Sequence, residues 1–146
     1  MTDDTYLPRG LPDPVPSPEG LGTEYWAATR NHKLVVQRCQ DCRTWQWGPE
    51  IICRSCGGEK LGYEQVSGKG TIFSWQRAWH PVHASLKDAM PYIVVLVELA
   101  DAGKVRMIGN LLGDREQPVQ IGVSVEAVFE DHPGDHPFTL VQWRKT

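Results

Sequence analysis

Every cysteine of the chain falls in one of two Cys-x-x-Cys pairs, Cys39-Gln40-Asp41-Cys42 and Cys53-Arg54-Ser55-Cys56, separated by ten residues. A two-residue spacer folds the backbone into a tight knuckle with both sulfurs facing one point. Two facing knuckles supply four thiolates at about 2.3 Å, the tetrahedral set that structural zinc prefers. The gap is shorter than the commonest zinc template. It still accommodates a short strand pair, with Thr44-Trp45-Gln46-Trp47 running out, Gly48-Pro49 turning and Ile51-Ile52 returning. Gly57 follows Cys56 where a knuckle needs positive φ, which glycine adopts without strain. Arg43 holds the equivalent place after Cys42. Arg38, Arg43 and Arg54 adjoin the ligands, and four thiolates around one divalent ion leave about two negative charges for them to offset.

Two disulfides are the rival use of the same cysteines. The opening Met1-Thr2-Asp3-Asp4 is acidic with no apolar stretch, so we expect no secretory signal and a cytoplasmic chain, in which paired cysteines hold metal. Iron accepts this ligand set too, as in a rubredoxin-like electron carrier. No redox partner is visible in the sequence, and one structural zinc per chain is the expectation.

Charge narrows the function classes. The 146 residues carry a formal charge of −3 with a pI near 5.9. Residues 1–32 hold two basic and five acidic groups, residues 33–65 five and four, and residues 66–146 eight and nine. A nucleic-acid module draws most of its affinity from Lys and Arg, so this balance argues against one. No apolar run approaches the ~20 residues that cross a bilayer, and a soluble protein is expected. Six tryptophans are many for this length, and Trp is enriched at interfaces.

Along the chain, residues 1–18 carry prolines at 8, 12, 14, 16 and 18 and read as an extended arm that orders only against the body or a partner. Residues 19–32 read as a short helical segment capped by Ser17 or Thr23, with Leu21, Tyr25, Trp26 and Thr29 as its stripe. The ribbon occupies 33–65. From 66 to 146 five strand-like runs follow, beginning at Gly70, Tyr92, Val105, Val123 and Phe138, which predicts a five-stranded OB-fold barrel. The fold class is therefore mainly β. In the first run, alternation places Thr71, Phe73, Trp75, Arg77 and Trp79 on one face. The second, Tyr92 to Leu99, is apolar on both faces apart from Glu98, as in a strand covered on both sides. The loop 80–91 contains His80 and His83, but no third metal ligand or base-and-acid pair accompanies them. Contact with a ligand or partner is the stronger reading of that loop.

These ordered features, the entry LVVQRCQDC, then CRSC, SGKGTIFSW, PYIVVLVELADAGKVRMIGNL and IGVSVEAVF, resemble one family over about residues 20–143. It is the acyl-CoA-associated family, once catalogued as a domain of unknown function, in which a rubredoxin-like zinc ribbon precedes an OB-fold domain. Arg43 departs from the Gly that many relatives place after the second cysteine. The resemblance implies a metal site at Cys39, Cys42, Cys53 and Cys56, and no catalytic residue on this chain. It implies a non-catalytic accessory subunit of a thiolase-like enzyme, in a heteromeric complex that handles acyl-CoA by thiolysis, acyl transfer or retro-aldol cleavage, for example of steroid or aromatic acyl-CoA. Trp45, Trp47, Trp75 and Trp79 are the candidate partner interface. Two alternatives stay open. One is a stand-alone acyl-CoA binder using Lys69, Arg77, Lys87, Arg106, His80 and His83. The other is a nucleic-acid module stacking bases on Phe73, Trp75 or Trp79.

Overall fold

Alternating apolar and polar residues dispose much of the chain to strand, and the computed structural model, which describes residues 5–146, contains two antiparallel sheets and one α-helix. In the first sheet β1 (Leu34–Cys39) lies between β2 (Trp45–Gln46) and β3 (Leu61–Val66). The second runs in the order β6-β5-β4-β7-β8, built from β4 (Lys69–Ala78), β5 (Tyr92–Leu99), β6 (Arg106–Asn110), β7 (Ser124–His132) and β8 (Phe138–Lys145). Its two edges meet in one parallel bridge, Leu111 with Trp143, where Leu112 N donates to the Trp143 carbonyl at 2.8 Å. This is the expected OB-type architecture, joined by a bridge rather than a full ladder. Gly109 permits the approach, because a Cβ there would lie 2.8 Å from both Trp143 Cδ1 and the Val141 carbonyl.

One core serves both sheets. Ile72, Ile93, Val95, Val97, Val125 and Trp143 of the barrel are continuous with Leu34, Val36 and Val66 of the ribbon. Directly paired residues of an antiparallel ladder project to one face, and register therefore corrects the alternation expected for β4. Its pairing with β5 shifts between Ile72 and Ser74, so that Trp75 stands opposite Val95 and Arg77 opposite Ile93. Trp75 and Arg77 thus share the side of buried residues, while Thr71, opposite Glu98, faces outward. A bulge adds one residue to one strand, and with a side-chain period of two that reverses every face beyond it.

The helix α1 (Thr23–Arg30) begins at Gly22 with no side-chain cap bond. Neither Ser17 nor Thr23 caps it, and the Ser17 hydroxyl instead accepts the Glu19 amide at 3.2 Å. Of the expected stripe, Thr29 is buried, Tyr25 and Trp26 are half-buried, and Leu21 is exposed. The helix packs on β1 and β8. Beyond its end, His32 stacks on Phe129 and bonds Asp131 at 2.8 Å. Glu130 projects to the opposite face of β7, where the arm crosses: the Tyr6 amide donates to Glu130 Oε2 at 2.8 Å and the Ile93 amide to the Tyr6 hydroxyl at 3.0 Å. Arg115 stands over the Tyr6 ring and donates to the carbonyls of Tyr6, Ala89 and Pro91. The arm is thus ordered against the body, though its first four residues lie outside the described ones. No helix of the described residues is long and apolar enough to cross a membrane.

Candidate functional site

The two Cys-x-x-Cys segments fold as matching knuckles. Arg43 N donates to the Cys39 carbonyl at 3.0 Å, and Gly57 N to the Cys53 carbonyl at 2.9 Å. Arg43 and Gly57 take the same left-handed conformation, with φ of 64° and 72°. A non-glycine residue there costs on the order of 1 kcal/mol. The Arg43 side chain is anchored against that cost, since Glu64 accepts its guanidinium on Oε1 and that of Arg38 on Oε2. The departure from glycine leaves the knuckle intact.

The four sulfurs lie within 4.8 Å of one another, with Cys39–Cys56 at 3.7 Å and Cys42–Cys53 at 3.5 Å. A tetrahedron with arms of about 2.3 Å has edges of about 3.8 Å, so the donor set fits one metal ion held by four thiolates. No two sulfurs are at the distance of a disulfide, and all four cysteines are free. Cys39 and Cys53 are buried while Cys42 and Cys56 are exposed. The Thr44 hydroxyl, 3.2 Å from Cys42 Sγ, together with the Thr44 backbone draws the Cys42 thiol down, while Cys42 and Cys39 push the Cys56 thiol up.

The expected charge offset is arranged differently. Arg38 and Arg43 are engaged by Glu64, and Arg54 donates to the Trp45 carbonyl at 3.0 Å. Backbone amides reach the sulfurs in their place, Ser55 N to Cys53 and Gly58 N to Cys56, each at 3.4 Å. The expected return strand at Ile51-Ile52 does not form either. β2 pairs back with β1, Gln46 opposite Gln37. Both amides are buried, and together they hold the return leg: Gln37 bonds both backbone groups of Glu50, and Gln46 bonds the Ile52 carbonyl and the Arg54 amide. Nothing local marks Gln37 as a clamp, because its partners lie 13 residues away.

Two of the four tryptophans named as interface candidates pack inward. Trp45 lies under the Arg38 guanidinium, 4.3 Å from the ring centroid, and Trp47 meets the Tyr25 ring edge-on at 5.1 Å; both are half-buried against the core. Trp75, although on the core side of β4, is 36% exposed, and Trp79, just past the end of the strand, is 63% exposed. On β5 the core side is fully buried, whereas Tyr92, Val94 and Leu96 on the outer side are half-buried. Beside them Ile108, paired with Leu96, is 68% exposed, and Phe73 lies under the Arg106 guanidinium at 3.5 Å. The outer face of β4–β5–β6 is therefore an apolar surface bounded by the Arg106–Glu98 ion pair.

The six cationic and imidazole residues considered for acyl-CoA do not converge. Lys69 and Arg77 stand at opposite ends of β4, about 26 Å apart at ~3.3 Å per residue. Arg77 is spent on the carbonyls of Arg115 and Gln117, and Arg106 on Glu98. His83 accepts the Ser85 amide at 3.2 Å, holding the turn Ala84–Leu86, while His80 and Lys87 are exposed.

Comparison with known proteins places this architecture. The model of the ChsH2 rubredoxin-like zinc ribbon domain matches residues 26–62, and that of the ChsH2 C-terminal OB-fold domain matches residues 63–130. A probable enoyl-CoA hydratase alpha subunit of Thermomonospora curvata is 34% identical over 120 residues, 82% of this chain and 36% of that protein. The 3-oxo-4,17-pregnadiene-20-carboxyl-CoA hydratase alpha subunit of Mycobacterium tuberculosis is 29% identical over 152 residues, 94% of this chain and 45% of that protein. The chain thus spans less than half the length of either. A solved Ltp2-ChsH2(DUF35) aldolase superposes with a TM-score of 0.75 at 30% identity, covering 89% of this chain and 98% of that one.

Proposed function

The chain belongs to the DUF35 family, ChsH2-type proteins in which a zinc ribbon precedes an OB-fold domain, and on that premise we propose that it is the non-catalytic subunit of an acyl-CoA-processing complex. Its partner is a thiolase-like enzyme of the retro-aldol class, acting on acyl-CoA such as a steroid side chain, and this subunit helps shape the channel. The observation that carries the reading is the superposition on a solved aldolase of two named components, Ltp2 and ChsH2(DUF35). The outer face of β4–β5–β6, with Phe73 and Ile108, and the exposed Trp75 and Trp79 supply apolar surface for such a partner. The ribbon (33–65) and barrel (66–146) meet the partner as neighbours that share one core. The metal is zinc and structural, one ion per chain. Elemental analysis should return one zinc on a colourless protein, whereas iron would colour it.

Co-purification tests the assembly. Tagged chain from its native host should bring down a thiolase-like protein in fixed stoichiometry. Elution alone, with no thiolase-like gene beside its own, sinks the reading. The names of the two hydratase alpha subunits favour a second reading, in which the assembly hydrates an enoyl-CoA. Assaying the purified complex with an enoyl-CoA and with a β-hydroxyacyl-CoA separates the two, because water addition and carbon–carbon cleavage yield different products.

A further inference from the structure

The hold of the arm on the body gathers at Tyr6. Its amide donates to Glu130 Oε2 on β7 at 2.8 Å, and its hydroxyl accepts the Ile93 amide of β5 at 3.0 Å. Its carbonyl accepts from Arg115, whose guanidinium stands 4.7 Å from the centroid of its ring. Beyond Tyr6, prolines at 8, 12 and 14 remove backbone donors. There the arm stands off the β7–β8 hairpin across a cavity of about 410 Å³, so close packing adds little. The arm is a strap, continuous with α1 at one end and latched by Tyr6 at the other.

The same latch reaches loop 80–91. Arg115 lies on the connection between β6 and β7, and its backbone is held from β4, where Arg77 donates to the Arg115 carbonyl at 3.0 Å and to that of Gln117. Its guanidinium donates to Tyr6 of the arm and also to the carbonyls of Ala89 and Pro91, the latter at 3.4 Å. Five donors in a planar fork let one side chain serve both segments. The arm nears the loop again at Gly10, where a Cβ would lie 2.8 Å from Ser85 Oγ. The loop's own bonds are local, with the amides of Leu86, Lys87 and Ala89 donating to the carbonyls of His83, Ala84 and Leu86. Leu86 is buried yet lies outside the core that the sheets share, and Trp79 and Val82 at the loop's start are 63% and 79% exposed. Those two apolar side chains are thus carried by a loop that leans on the arm.

We propose that the arm is a releasable strap that fixes loop 80–91 through Tyr6 and Arg115, with Arg77 as a positioning residue, and that loosening it withdraws Trp79 and Val82 from the partner. One residue carries the latch, so release breaks few contacts and belongs to the low-cost local openings of a fold. The withdrawal rests on the assembly with a thiolase-like enzyme; the strap does not.

Hydrogen exchange on the full chain tests the strap. Tyr6→Ala, and separately Arg115→Lys, which keeps the charge but loses the fork, should speed exchange of the Leu86, Lys87 and Ala89 amides. The expected acceleration is at least about tenfold, given the strength of hydrogen bonds to charged groups, with β1 and β3 amides unchanged. Tyr6→Phe keeps the ring beneath Arg115 and the backbone bonds, and should free the Ile93 amide with the loop still protected. Unchanged loop exchange in Tyr6→Ala means that the loop holds itself, and equal acceleration in β1, β3 and the loop means general destabilisation; either overturns the strap. Gly10→Ala, strained at φ 98° and pressed on Ser85, applies the same criterion if Tyr6→Ala fails to fold. Co-purification tests the withdrawal. The thiolase-like partner should be lost with Tyr6→Ala and kept with Tyr6→Phe. Undiminished recovery with a loosened loop overturns the withdrawal alone. An unsubstituted chain that recovers no partner sinks the assembly and the withdrawal with it, while exchange still decides the strap.

Discussion

The ribbon and the barrel divide one core unequally: the ribbon supplies Leu34, Val36 and Val66, while the barrel supplies an almost unbroken apolar interior closed by Trp143. The barrel can be held by burial, at roughly 25 cal/mol per Å² of apolar surface. The ribbon has too little such surface, and it relies on four thiolates and on two buried glutamines that close a turn no strand pairing closes. Two adjoining β-sheets thus need different physics, and perturbations should separate them.

Removing the metal should have the largest effect. Structural zinc contributes about 10–16 kcal/mol of apparent binding free energy at neutral pH, so Cys39→Ser or a strong chelator should abolish ribbon order. In hydrogen exchange, amides of β1 and β3 should lose protection while those of β5 keep it. Simultaneous loss in β5 would mean that the two sheets unfold as one unit. The converse break is in the barrel, where Trp143→Ala should cost about 3–5 kcal/mol in urea denaturation, with the metal still bound at low denaturant. Gly109→Ala, which drives a Cβ against Trp143 and the Val141 carbonyl, should cost about 1–3 kcal/mol by the same measurement.

A smaller loss sharpens the ribbon side. Gln46→Ala strips partners from Gln37, from the Ile52 carbonyl and from the Arg54 amide. It should destabilise by about 1–3 kcal/mol and speed metal transfer to a chromogenic chelator. Acid acts on both sides. The Thr139 hydroxyl, then His32, hold the Asp131 carboxyl below its ordinary 3.8, and Arg38, then Arg43, hold Glu64 below 4.5. A carboxylate depressed in the folded state contributes stability that is present above its unfolded value and lost as pH falls through the folded one. Thr139→Val should therefore flatten the stability curve only below about pH 4, in thermal melts at stepped pH. Least of all should be felt at Ile108→Asp on the exposed outer face, within about 0.5 kcal/mol in stability, yet it should abolish co-purification of the partner. Unchanged recovery of the partner would move the interface elsewhere.

Much of this molecule was legible in the residues. The Cys-x-x-Cys spacing assigned the donor set because knuckle geometry is local, and Gly57 announced its left-handed φ. The five apolar runs announced five barrel strands, because alternation is a property of single strands. Other features lie between segments. The bulge at Phe73 is defined only by pairing with β5, so alternation alone puts Trp75 and Arg77 on the wrong face. Glu64 holding both Arg38 and Arg43, and Gln46 holding Arg54, depend on strands brought together by folding. Glu130 and His132 carried no signal at all, since a carboxylate in a strand reads as a solvated face until an arm more than a hundred residues away in sequence covers it.

What the sequence by itself determined about this protein is therefore its list of parts: a four-cysteine knuckle pair, a proline-rich arm and a run of strands ending in a barrel. Ligand spacing, proline's fixed φ and strand periodicity act over a few residues and need no partner. What only the tertiary structure decided is where the chain covers itself. Trp45 and Trp47 are drawn inward, Trp79 and Ile108 are left outside, and the arm encloses a cavity against the β7–β8 hairpin. Burial is a relation between distant segments, and no local pattern encodes which of two apolar faces finds a neighbour.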